Sequence, residues 1–111
     1  MKQPNYQGVW SAAPTPFTRD FQLDSMAIRR MVEHHVRLGI TGMFLAGTNG
    51  EGPWMTRSQR VRLMREVVRC ARGRMTIAAQ VTDNSASQVL ENIELAKMAG
   101  ADIAVIAPPF F

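Results

Sequence analysis

The amino-acid sequence predicts an α/β fold in which four parallel strands alternate with three helices. Short apolar runs of strand length recur along the chain, and apolar residues at helical spacing lie between them. The strand starts lie roughly 27–34 residues apart, which is the length of a βα unit. No linker or low-complexity tract interrupts this pattern, so a single domain over residues 1–111 is expected.

The first strand is predicted over residues 9–13, before a Pro-Thr-Pro turn. Asp24 is a typical N-cap for the helix that follows, and Gly39 is suited to the left-handed residue after its end. The second strand runs through Ala46. The inward positions of this first helix are predicted to be Ile28, Met31, Val32, His35 and Val36.

The second helix is predicted to begin at a capping box formed by Thr56 and Gln59, and to stop at Gly73. A third strand follows over residues 75–81. The second helix is predicted to bury its apolar residues Val61, Met64, Val67, Val68 and Ala71.

A second capping box, Ser85 with Gln88, opens the third helix, which Gly100 ends. The fourth strand is predicted over residues 102–107. The residues of the third helix that are predicted to face the core are Val89, Ile93 and Ala96.

Each βα unit requires a right-handed crossover, which an open doubly wound sheet or a barrel can supply. The fourth strand is strongly apolar, and nothing after it in the sequence would cover its free edge. A complete eight-stranded barrel needs about 250 residues. The sequence therefore predicts the N-terminal half of a (β/α)8 TIM barrel, truncated after its fourth strand.

Composition narrows the function classes. The single cysteine, Cys70, rules out an internal disulfide framework, and no apolar stretch is long enough for a membrane span. With no secretion-signal pattern at the start, a cytoplasmic location is expected. The net charge of +4 comes mostly from eleven arginines, seven of them between residues 57 and 74. This run of arginines predicts the solvent-exposed face of a helix; the alternative is a surface that binds a polyanion.

The most informative segment is the polar turn Gly-Thr-Asn-Gly-Glu-Gly at residues 47–52, which directly follows an apolar strand. Ligands of α/β folds bind at the carboxyl ends of such strands. The glycines let the backbone approach a ligand closely, while Thr48 and Asn49 offer a hydroxyl and an amide. Two adjacent donors suit a small carboxylate.

These residues resemble the dihydrodipicolinate synthase and N-acetylneuraminate lyase family. Residues 8–17 match its first strand and Thr-Pro-Phe turn, residues 47–51 match its Gly-Thr-Thr-Gly-Glu signature, and residues 109–111 stand where it has Pro-Tyr-Tyr. The family consists of Schiff-base lyases and aldolases on (β/α)8 barrels, acting on pyruvate or related 2-oxo acids. The resemblance implies no metal or organic cofactor, and a homo-oligomer, often a tetramer.

The resemblance also assigns site residues. Thr48 matches a proton-relay threonine, and Asn49 matches the second threonine, which holds the pyruvate carboxylate. Ala12 lies beside the bound 2-oxo acid, and Phe111 stands at the position of a tyrosine lent across a dimer interface. Phe111 has no hydroxyl and Asn49 cannot relay a proton as a hydroxyl does, so a divergent relative of the synthase is favoured.

The family's imine-forming lysine lies on a later strand, and neither Lys2 nor Lys97 matches it. The chain as given is therefore expected to be inactive alone. The leading hypothesis is a Schiff-base lyase or aldolase on a 2-oxo acid, with no nucleic-acid or membrane partner. The alternatives are a truncated non-catalytic remnant or assembly component, and a polyanion-binding module that uses the arginine-rich helix.

Other candidates have simpler interpretations. His34 and His35 are adjacent and point about 100° apart on a helix, so a shared metal is not expected, and His35 is predicted to be a hydrogen-bonded packing residue. Glu51 is predicted to accept hydrogen bonds from the loop or a neighbouring subunit. Cys70 is predicted to be a structural thiol, and Trp54 a packing residue.

Overall fold

The computed structural model describes residues 4–108. In chain order the elements are β1 (Trp10–Ala12), α1 (Ser25–Arg37), β2 (Gly42–Leu45), a short 3-10 helix (Gly52–Trp54), α2 (Arg57–Ala71), β3 (Thr76–Gln80), α3 (Ala86–Ala99) and β4 (Ile103–Val105). All four strands form one parallel sheet in the order β1-β2-β3-β4. The alternating α/β order is confirmed.

The strands are shorter at both ends than the sequence predicts. The predicted strands at residues 9–13, 75–81 and 102–107 contain three, five and three strand residues. Pairing nonetheless persists just past the ends: the Ala13 N–H donates to the Phe44 carbonyl at 3.1 Å. The Val81 N–H donates to Val105 at 3.0 Å.

The helix boundaries follow the predicted caps. Asp24 accepts from the Ala27 N–H, and Thr56 and Gln59 form both bonds of a capping box. Ser85 accepts from the Gln88 N–H. Gly100 ends α3 in the left-handed region. At the end of α2 the left-handed C-cap is Arg72, one residue before the predicted Gly73.

The two faces of the sheet have different roles. Parallel partners share a face, so the register places Ser11, Met43 and Ile77 together on the side that the helices cover. Ala12, Phe44 and Ala78 share the opposite, inner face. The helix side forms the core; its largest fully buried side chains are Ile28, Met43, Leu45, Leu63, Ile77, Val32, Val67 and Val81.

His35 joins α1 to β1. Its Nδ1 lies 2.7 Å from the Met31 carbonyl and its Nε2 lies 2.9 Å from the Ser11 hydroxyl. A carbonyl only accepts, so Nδ1 carries a proton and donates it to the Met31 carbonyl. The prediction of a hydrogen-bonded packing histidine is confirmed. Within residues 4–108, no group of histidine, cysteine or acidic side chains has the arrangement of a metal site.

The helices α1 and α2 form a strongly basic outer surface. Together with the exit of α2 they carry ten arginines against two glutamates. Arg74 pairs with Glu33 at 2.6 Å, and Arg62 pairs with Glu66 at 3.2 Å. Arg29, Arg65 and Arg69 form no salt bridge within the described part of the chain. Over the same residues, no helix is long and apolar enough to cross a lipid bilayer.

Candidate functional site

The candidate site lies at the edge of the sheet where the four strands end. Because all strands are parallel, their carboxyl ends meet at this edge. The polar turn at residues 47–52 leaves β2 here, directly after the buried residue Ala46. Ala12 ends β1 beside it, on the inner face of the sheet. Thus Ala12, Thr48 and Asn49, which the sequence singled out, come from one edge.

The turn has a constrained backbone. Ala46 and Glu51 both have left-handed φ angles, 59° and 60°. The Gly52 N–H donates to Gly47 at 3.0 Å and the Glu51 N–H donates to Thr48 at 3.1 Å. A Cβ added at Gly52 would lie 1.8 Å from the Ala46 carbonyl oxygen, so only glycine fits. This backbone order holds Thr48 and Asn49 in fixed positions.

Two side-chain bonds tie the turn to the end of β1. The Thr15 hydroxyl, which is buried, donates to the Gly50 carbonyl at 2.5 Å. The Asn49 side-chain amide donates to the Ala12 carbonyl at 2.6 Å. The turn is therefore fixed relative to both strands. Thr15 was not among the predicted site residues, although it belongs to the quoted Pro-Thr-Pro turn.

Several donors of the turn are left without protein partners. The Thr48 hydroxyl and the backbone N–H groups of Thr48 and Asn49 donate to no group in the range 4–108. Both residues are exposed at the mouth. Adjacent unpaired N–H and O–H groups attract an anion, because each donor directs partial positive charge toward it. Adjacent donors of this kind suit a small carboxylate.

The loop after β3 contributes polar residues that sequence reasoning missed. The Thr82 hydroxyl donates to Gln80 Oε1 at 2.6 Å and accepts from the Ala107 N–H at 2.8 Å. Thr82 is buried and Gln80 is half-buried on the inner face. Their bonds join the ends of β3 and β4. No sequence motif predicts this link, because the bonded residues Thr82 and Ala107 lie 25 positions apart in the chain.

Asp83, in the loop after β3, is a hydrogen-bonded carboxylate at this edge. The Asn84 N–H bonds it at 2.8 Å and the Asn92 amide at 3.0 Å. Those bonds, followed by the charges of Arg60 and Arg57, hold the pKa of the Asp83 carboxyl below its usual value. Arg60 and Asp83 also line a cleft of about 150 Å³ between this loop and the turn after β2. Asp83 is thus held by two hydrogen bonds and lies within 4.0 Å of both arginines.

Other predicted residues lie away from this chemistry. Trp54 is 73% exposed, so the prediction that it packs is wrong: it is the last residue of the 3-10 helix, and its side chain lies largely in solvent. The Glu51 carboxylate accepts no hydrogen bond within residues 4–108, so its predicted role inside the loop is not realised there. Cys70 is half-buried and unpaired, as expected of a structural thiol. Lys97 is exposed late in α3. Phe111 lies outside the described residues.

Comparison with known proteins identifies this arrangement. Residues 5–111 match the dihydrodipicolinate synthetase family over almost the whole chain. The chain belongs to that family. The family resemblance drawn from the glycine turn and the Thr-Pro-Phe motif is confirmed.

Members of the dihydrodipicolinate synthetase family supply both sequence and structural relatives. The 4-hydroxy-tetrahydrodipicolinate synthases of Anaeromyxobacter sp. (strain Fw109-5) and Phenylobacterium zucineum are each 33% identical, over 97% and 100% of this chain. Those alignments cover 36% and 37% of the relatives. The chain therefore spans little more than a third of their length.

Two crystal structures show the same architecture. The dihydrodipicolinate synthase of Aquifex aeolicus superposes with a TM-score of 0.90 and 29% identity, covering 96% of this chain and 36% of that one. The chloride-inhibited synthase of Acinetobacter baumannii, complexed with pyruvate, gives 0.92 and 29%, covering 96% and 37%. The fold matches the N-terminal part of these TIM barrels. The predicted half-barrel architecture is confirmed.

Proposed function

We propose that residues 1–111 form the N-terminal part of a barrel domain in a Schiff-base-forming lyase or aldolase acting on pyruvate or a related 2-oxo acid. The observation that carries the proposal is the set of unpaired donors at Thr48 and Asn49. Family membership and the pyruvate complex of the Acinetobacter baumannii relative support it.

In this proposal, the backbone N–H groups and the Thr48 hydroxyl orient the substrate carboxylate. Thr48 also occupies the relay position, and Ala12 leaves room on the inner face beside the 2-oxo acid. An amine from a lysine beyond residue 111 would condense with the ketone and release water. The protonated imine then withdraws electrons from the adjacent carbon–carbon bond, so this step calls for no metal or organic cofactor.

The second substrate is proposed to differ from that of the synthase itself. Asn49 stands where the family signature has a threonine, and Phe111 stands where it has a tyrosine. Neither can carry a proton through a hydroxyl group. We further propose a cytoplasmic homo-oligomer, a tetramer as in the family, with the turn after β2 near a subunit contact and Phe111 at that interface.

The test is the intact mass of the protein isolated from its source after treatment with pyruvate and borohydride. Borohydride reduces the imine and leaves a permanent adduct on the lysine. The expected result is a chain of full-barrel mass that carries one adduct. A 12.4 kDa chain without an adduct would contradict the proposal and favour a non-catalytic remnant or assembly component.

A polyanion-binding role is the second candidate, and the basic surface of α1 and α2 favours it. Arg29, Arg69 and Arg72 line an open groove of about 450 Å³ between the two helices. Retention on an anionic matrix, lost on charge reversal of Arg29 and Arg69 while the fold persists, would support this role. Retention that survives the reversal would exclude it.

A further inference from the structure

The Asn49 amide is held in one orientation. Its Nδ2 lies 2.6 Å from the Ala12 carbonyl oxygen, and a carbonyl accepts but cannot donate. The nitrogen must therefore face Ala12, and the amide oxygen Oδ1 faces the other way. A flipped amide would place two acceptors in contact. This contact fixes which polar atom Asn49 offers to a ligand.

Oδ1 is left as an acceptor without a donor among residues 4–108. Asn49 is exposed at the carboxyl ends of β1 and β2, one residue after the unpaired Thr48 hydroxyl. A hydroxyl group at this position could either donate or accept, and so could face a carboxylate oxygen. The amide oxygen can only accept, and it repels a carboxylate oxygen placed against it.

Two groups of the ligand therefore meet partners with opposite requirements. Its carboxylate pairs with the Thr48 hydroxyl and the backbone N–H groups, all of which are donors. A second group, which reaches Oδ1, must itself donate a hydrogen bond. Among neutral substituents close to a 2-oxo acid, a hydroxyl group on the neighbouring carbon meets this requirement.

We infer that Asn49 is a specificity-determining residue that selects 2-oxo acids carrying a hydroxyl group next to the ketone. The inference rests on the proposed function, because it concerns the same site. Its physical basis is one additional hydrogen bond to Oδ1, which is satisfied by the hydroxylated acid and unsatisfied by pyruvate. One such bond corresponds to about a tenfold difference in affinity.

The experiment compares pyruvate with 3-hydroxypyruvate, which differs by a single hydroxyl group. Each acid is titrated against the full-length protein, and half-saturation is measured from borohydride-trapped adduct by intact mass. Because the two ketones differ in intrinsic reactivity, the informative quantity is the ratio of their half-saturation concentrations. We expect Asn49→Ala to weaken both acids, and to weaken 3-hydroxypyruvate about tenfold more than pyruvate.

Two further variants keep the test informative. Asn49→Ser retains a short acceptor and should restore part of the preference. Asn5→Ala is the matched control, since Asn5 contacts Thr76 at the opposite, amino-terminal end of β3, and its ratio should equal that of the wild type. An equal loss for both acids in Asn49→Ala and Asn49→Ser would assign Asn49 a purely structural role and overturn the inference.

The failures of the two proposals are distinguishable. Trapping of pyruvate with a ratio that no Asn49 variant changes would overturn the selectivity and leave the Schiff-base function intact. Absence of any adduct with either acid, in wild-type protein of confirmed fold, would overturn both.

Discussion

Two loops leave the same edge of the sheet, and they differ in how far their polar groups are paired within the protein. In the turn after β2, the Thr48 hydroxyl and neighbouring N–H groups have no partner within residues 4–108. In the loop after β3, Thr82 and Asp83 are engaged by Gln80, Asn92 and the backbone. The first loop leaves the Thr48 hydroxyl and two backbone N–H groups without protein partners in that range, although its Asn49 amide bonds the Ala12 carbonyl. The second loop uses its polar groups to join neighbouring elements.

The difference lies in how each loop is made rigid. Within the turn after β2, order comes from backbone geometry: left-handed residues, internal backbone bonds and a glycine packed on a carbonyl. The Thr15 and Asn49 side chains add the bonds that tie this turn to the end of β1. The Thr48 hydroxyl takes no part in this order within residues 4–108. The loop after β3 is ordered by hydrogen bonds between its side chains, so those groups are already paired. Breaking each source of order separately tests this comparison.

The largest effect is expected from Gly52→Ala. The added Cβ would lie 1.8 Å from the Ala46 carbonyl oxygen, so the turn must move. We expect a loss of roughly 3 kcal/mol in the free energy of unfolding, measured by urea denaturation. Gly39→Ala is the matched control: Gly39 also has positive φ, but no atom lies within 4 Å of the added carbon. It should cost only about 1 kcal/mol.

Asn92→Ala tests the side-chain order of the second loop. Asn92 is buried, donates to the Val81 carbonyl at 3.2 Å and to Asp83, and accepts from Arg57 at 3.1 Å. Its removal leaves buried polar groups unpaired, so a loss of about 2 kcal/mol is expected on thermal or urea unfolding. Ser87→Ala, at an exposed position of the same helix, should stay within about 0.5 kcal/mol. Equal losses would contradict the assigned role.

Thr48→Val separates binding from stability. The methyl group replaces a hydroxyl that has no partner within residues 4–108, so the unfolding free energy should change by less than about 0.5 kcal/mol. Carboxylate binding loses one donor and should weaken about tenfold, measured by pyruvate half-saturation in the trapping assay. A stability loss as large as that of Asn92→Ala would remove the distinction between the loops.

The smallest effect is a pH dependence carried by Asp83. Its pKa is lowered in the folded state by the Asn84 N–H, the Asn92 amide and nearby arginines. The stabilisation is therefore present above the ordinary aspartate pKa, about 4, and is lost as the pH falls through the lower folded value. Urea midpoints should fall on acidification below about pH 4 in the wild type, and fall less in Asp83→Asn.

What the sequence predicted reflects local physics. Thr56 with Gln59 and Ser85 with Gln88 each lie within one helical turn, so the spacing alone locates both caps. The strand order follows from the regular βα alternation. The Asn49–Ala12 bond, by contrast, joins residues 37 positions apart, and its direction depends on which amide atom faces the carbonyl. No pattern in the sequence carries that information.

Other failures have the same cause. The Asp83 cluster draws on α2, α3 and the loop after β3, so it exists only once three elements have packed. The sequence predicts that Trp54 packs, yet at the end of the 3-10 helix its side chain is mostly exposed. Side-chain direction after a tight turn is set by backbone angles that composition does not reveal.

The consecutive strand order also shapes how this chain can fold during synthesis. Each strand pairs with the strand immediately before it in the sequence, such as Trp10 with Gly42 and Gly42 with Thr76. Each βα unit can therefore dock as it leaves the ribosome, without waiting for distant segments. Each new pairing closes a loop of about thirty residues, so the entropic cost of loop closure is similar for every pairing. Within the described sheet, each strand after β1 thus pairs with a strand that was synthesised before it.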